Sequence, residues 1–135
     1  MKLSFDFDST LTLKGIQAIH KWLRINTDWE IFIITSRPSE EDCKLSPGIY
    51  GSLYWEEVFS MADELEISRD HIHFTNYKDK IDTIELLCIN IHIDDDAHEL
   101  KVLQKKSKCI PISSRNPASA FNKIKRIHGN SIKKS

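Results

Sequence analysis

Residues 3–10 read Leu3-Ser4-Phe5-Asp6-Phe7-Asp8-Ser9-Thr10. Apolar side chains alternate with small or acidic ones, so the run predicts a strand that carries two carboxylates into a turn. An unpaired acid on an otherwise apolar strand is costly to bury. Asp6 therefore needs either a partner or a function.

Outward from that stretch, apolar runs alternate with amphipathic ones. Residues 14–25 predict a helix with Ile16, Ile19 and Leu23 on one face, and Trp29 to Thr35 predicts a strand covered on both sides. Pro38 stops that strand and suits the first turn of a helix. Helices are expected at 55–65, 79–87, 97–105 and 117–128, and strands at 71–74, 88–93 and 108–112. Five strands separated by helices predict an α/β domain over residues 1–128, with a central parallel sheet flanked by helices on both faces. Residues 129–135 read as a basic C-terminal tail.

The 135 residues carry 19 Lys and Arg against 20 Asp and Glu. All twenty acids lie in residues 1–100 with nine bases, while residues 101–135 hold ten bases and no acid. The basic quarter predicts either a solvated helix face or weak attraction to a polyanion such as nucleic acid. No apolar run is long enough for a membrane helix, and Asp6 interrupts any signal-peptide core. Cys43, Cys88 and Cys109 are widely spaced, so a disulfide framework or zinc knuckle is not expected, and a reducing cytoplasm is. His71, His73 and His92 alternate along expected strands, but only His92 and Asp94 form a close histidine–acid pair.

In open α/β sheets ligands bind beyond the carboxyl ends of the strands. Those ends carry Asp6 and Asp8, then Thr35, Ser36 and Arg37, then Asp94 and Asp95, and Lys78 or Lys80 opens the helix between. Carboxylates gathered at one edge repel unless a cation joins them, and hard oxygen ligands suit Mg²⁺. Lys and Thr in the same cleft suit a phosphoryl group. Asp96 is expected to cap the helix that follows.

This ordered set resembles the haloacid dehalogenase (HAD) superfamily of phosphohydrolases. Leu3 to Thr10 matches its apolar strand with DxDxT, and Ile33-Ile34-Thr35 its second motif. Lys80, with Lys78 as competitor, matches the third, and Ile91-His92-Ile93-Asp94-Asp95 the fourth. The resemblance implies a three-layer, Rossmann-like fold and a Mg²⁺-dependent phosphomonoester hydrolase. Asp6 would be the nucleophile that forms an aspartyl-phosphate, and Asp8 the acid and base, its backbone carbonyl also meeting the metal. Thr35 and Lys80 would hold the phosphoryl group, Asp94 and Asp95 the metal with Asp6. Thr10, Ser36 and Arg37 are substrate-side candidates, Thr10 also as a support of the turn. Arg115 follows another strand end.

About 27 residues separate Asp8 from Thr35, which leaves no room for the cap domain common in that superfamily. An open site admits a small phosphorylated molecule or a nucleic-acid end, or is closed by a neighbouring subunit. The loop at 46–55, with Tyr50, Tyr54 and Trp55, reads either as a small lid or as core packing. The competing function is a non-catalytic metal or phosphate-binding module. A phosphoreceiver domain is excluded, because its acceptor Asp would end the third strand, which here ends in Phe74-Thr75-Asn76.

Overall fold

A computed structural model describes residues 1–46 and 54–134. Five strands, β1 (Lys2–Phe5), β2 (Glu30–Thr35), β3 (Ile72–Phe74), β4 (Ile91–Asp94) and β5 (Ile110–Ser113), form one parallel sheet in the order β3-β2-β1-β4-β5. The chain winds outward from β1 through β2 to β3, then returns to lay β4 on the other side of β1. The order reverses between β1 and β4, and at such a switch point the loops part to leave a crevice.

Among the described residues the strands are connected by α1 (Lys14–Asn26), α2 (Glu40–Leu45), α3 (Tyr54–Glu64), α4 (Ile81–Leu86) and α5 (Ala97–Lys106), and α6 (Pro117–Lys134) follows β5. Alternate residues of the sheet enter different apolar clusters, as side chains on a strand must. Leu3, Phe5, Ile33, Ile91 and Ile93 pack with Ile16, Ile19 and Leu23 of α1, Val58 and Ala62 of α3, and Ala120 and Ile124 of α6. Phe32 and Ile34 pack with Ile84 of α4 and Leu103 of α5. The helix face expected of residues 14–25 is the one buried.

Helix starts are chemically marked. Ser39 and Asp42 form a reciprocal capping box on α2, so Pro38 precedes the cap rather than opening the helix. Asp96 caps α5, its Oδ1 accepting from the backbone of His98 and Glu99. Gly15 lets α1 approach α6, since a Cβ there would stand 2.7 Å from that of Pro117.

Several boundaries differ from expectation. β1 ends at Phe5, because Asp6 to Leu11 turn sharply, with Ser9 in the left-handed region at φ 55°. The helix expected to end near 128 runs to Lys134. Tyr54 and Trp55 belong to the first turn of α3 and not to a loop; Tyr50 lies outside the described residues.

Candidate active site

β1 and β4 deliver their last side chains side by side. Phe5 is in register with Ile93, and the Asp6 amide donates to the Ile93 carbonyl at 2.9 Å. Asp6 and Asp94 consequently emerge together at the switch point. Lys80, at the start of α4, reaches between them: its Nζ lies 2.8 Å from Asp6 Oδ1 and 2.7 Å from Asp94 Oδ2. All three side chains are almost fully buried.

Lys80 is held at both ends. Its backbone amide donates to Glu99 Oε2 at 3.1 Å, and Glu99 is itself buried on α5. The turn that carries the chain from β3 to α4 places Asn76 and Tyr77 in successive left-handed conformations, at φ 52° and 66°. Their amides donate to the Arg37 and Ser36 carbonyls at the end of β2. Such strain persists only where surrounding contacts over-determine it. Here it brings Lys80 to the crevice, while Lys78 remains exposed.

Asp94 has the most donors. Its Oδ2 accepts from Lys80 and from His92 Nε2 at 2.8 Å, and its Oδ1 from the Asp96 amide at 3.0 Å. His92 is fully buried, and the Ser4 hydroxyl lies 2.7 Å from its other ring nitrogen. Burial lowers the pKa of His92. A neutral ring facing a carboxylate carries its proton on Nε2, so Ser4 donates to Nδ1.

One ammonium thus serves two carboxylates. Burial pushes Asp94 upward, but His92 and Lys80 outweigh it and hold Asp94 well below the usual range. Beyond Lys80, Asp6 accepts a long contact of 3.5 Å from the Thr10 hydroxyl, weaker than the bond His92 gives Asp94. Burial, with the Asp94 charge added, outweighs Lys80 and raises the Asp6 pKa to about 8. Burial would lower Lys80, yet the two acids hold it above its ordinary value and keep it charged.

Asp95 completes the group. Asp6, Asp94 and Asp95 can each present one oxygen such that all three lie within 4.8 Å of one another. Mg²⁺ binds oxygens at about 2.1 Å in an octahedron, which requires ligand spacings of roughly 3–4 Å. The donors are hard oxygens, and three carboxylates against one ammonium leave negative charge for a divalent ion to neutralise. The donor set is of the kind a hard divalent cation takes.

Asp8 stands apart from this group. Its two carboxylate oxygens accept from Arg37 Nε and Nη2 at 2.9 and 2.7 Å. Arg37 also donates to the Tyr54 carbonyl at 2.9 Å, and its guanidinium lies 4.9 Å from the Phe7 ring. The bond to Asp8 raises the Arg37 pKa. Arg37, a substrate-side candidate, here contacts Asp8 and the start of α3. The Asp8 side chain is correspondingly absent from the carboxylate group.

Thr35 is fully buried at the end of β2, its oxygen accepting from the Arg37 amide at 3.2 Å. Ser36 beside it is half-buried, and its carbonyl is occupied by the Tyr77 amide. Thr10 is fully buried, 2.9 Å from Ser114 Oγ and 3.5 Å from Asp6 Oδ2. Ser114 Oγ donates in turn to the Ser9 carbonyl at 3.1 Å, so the hydroxyls buttress the Asp6 turn from β5.

Ser4, Glu99 and Ser114 were not singled out from the sequence. Their roles arise from register and helix placement, for Ser4 meets His92 only because β1 and β4 are neighbours. No protein-family model matches the chain, and no curated protein matches it.

Proposed function

We propose that the chain is a Mg²⁺-dependent phosphomonoester hydrolase of the HAD type, without a cap domain, with a three-layer Rossmann-like fold, acting through an aspartyl-phosphate. The observation that carries this reading is Lys80 bridging Asp6 and Asp94 inside a three-carboxylate group at the switch point. Asp6, Asp94 and Asp95 would hold Mg²⁺, which supplies charge neutralisation for the phosphoryl oxygens.

An oxygen of ionised Asp6 attacks phosphorus while the bond to the leaving oxygen breaks. Asp8, once exchanged from Arg37 and protonated from solvent, gives that oxygen its proton and is reprotonated by the water that cleaves the acyl phosphate. Thr35 donates to a phosphoryl oxygen, and Lys80 balances the charge that Asp6 and the phosphoryl group share. The requirement is mainly positioning and charge. The substrate is a small phosphorylated molecule or a nucleic-acid end.

One observation favours a second reading, a non-catalytic metal or phosphate-binding module: Arg37 occupies both oxygens of the proposed acid and base. Hydrolysis of an aryl phosphate with and without Mg²⁺ decides between them. Metal-dependent turnover is expected, with Asp6→Asn reducing it by on the order of 10⁴-fold. Folded protein that binds Mg²⁺ yet turns over no phosphate ester would favour the module.

A further inference from the structure

Beside the carboxylate group a cavity of about 420 Å³ opens between α5, β5 and α6. Asp95 lines it, together with Lys101, Arg115, Lys123, Leu100 and Pro111. Arg115 is anchored, its Nε donating to the Asp95 carbonyl at 3.1 Å. Asp95 therefore joins two sites, offering its carboxylate to the metal group and its carbonyl to the cavity. Among the described residues, none of Lys101, Arg115 and Lys123 has an acidic side chain within ion-pair distance.

Three cationic side chains against the one acid, Asp95, leave the recess positive and favour an anion. They lie beside the place where a reacting phosphate would sit, not on it. Leu100 and Pro111 add apolar surface of the kind a sugar covers. We infer that this cavity is a subsite for the phosphodiester backbone of a single-stranded nucleic acid whose terminal phosphate enters the carboxylate group. The substrate side of the inference rests on the hydrolase reading, whereas binding in the groove does not.

The basic quarter contains an internal control. Lys105, Lys106 and Lys108 line a separate cavity of about 630 Å³ with Asn90 and Cys88. Asn90 and Lys108 precede β4 and β5, so that cavity lies at the amino ends of these strands, away from the carboxylate group. A diffuse basic surface would use both clusters; a subsite uses one.

The test is fluorescence anisotropy of a short labelled single-stranded oligonucleotide without a terminal phosphate, with the full chain and Mg²⁺. Such a probe cannot be turned over, so it reports the groove alone. Lys101→Gln with Lys123→Gln should weaken binding about tenfold at low salt and flatten its salt dependence by about 1.4 in logarithmic slope. Lys105→Gln, Lys106→Gln and Lys108→Gln together should change it less than about twofold. Equal weakening by both sets, no binding to the wild type at low salt, or equal competition by a nucleoside diphosphate would overturn the subsite. Aryl phosphate hydrolysis by the same wild-type preparation separates the two ideas. Groove binding without turnover would sink the hydrolase and leave the nucleic-acid site standing.

Discussion

Two cation–carboxylate assemblies flank the turn after β1, and they differ in burial. Lys80 joins Asp6 and Asp94 with side chains no more than 6% exposed. Arg37 grips Asp8 with the better bidentate geometry, but the Asp8 side chain is 53% exposed. Water and salt screen the second pair, so it can exchange partners at little cost. The first pair has no solvent to fall back on, and removing one member strands a buried charge. On the proposed mechanism this division has a use. The nucleophile and metal ligands are fixed before substrate arrives, while the acid and base is free to move.

The contrast can be broken most severely at Lys80. Lys80→Met should cost about 3–5 kcal/mol in denaturant unfolding, because two buried carboxylates lose their shared cation. A loss below 1 kcal/mol would show that the buried assembly is no different in kind from the exposed one.

A second effect comes from Asp6. Its folded pKa, about 8, lies above the ordinary value of 3.8, so the folded chain holds a proton that the unfolded chain releases. This group's contribution to stability without metal therefore declines as pH rises from about 4 to about 8. A cation competes with that proton. The rise in Tm produced by Mg²⁺ should accordingly be larger at about pH 8.5 than at about pH 6. An equal rise at both would remove Asp6 from the ligands.

The smallest effect belongs to the exposed pair. Arg37→Ala should reduce stability by about 1 kcal/mol, the sum of a screened ion pair and a cation contact with Phe7. Raising the salt concentration should narrow the gap between wild type and variant. No such narrowing should appear for Lys80→Met.

Much of the arrangement could be read from local pattern. Asp6 declared itself as an acid on an apolar strand, Asp96 as a cap, and Ile16, Ile19 and Leu23 as a helix face, because each is a short-range property of the chain. Lys80 could be separated from Lys78 only once the two left-handed residues, Asn76 and Tyr77, fixed which lysine opens α4. Arg37 and Asp8 are 29 residues apart, and their pairing depends on the turn at Ser9. The Ser4–His92–Asp94 chain depends on β1 lying beside β4, a long-range pairing that no local spacing encodes. Short-range chemistry thus marked the groups gathered at the switch point, and the supporting contacts required the tertiary fold.

The central claim is that Asp6 becomes covalently phosphorylated. Acid quench of the chain during Mg²⁺-supported turnover of an aryl phosphate, followed by peptide mass spectrometry, tests it directly. A phosphoryl group on Asp6, absent without Mg²⁺, is the predicted result. Sustained turnover with Asp6 unmodified, or with the phosphoryl group on another residue, would contradict it.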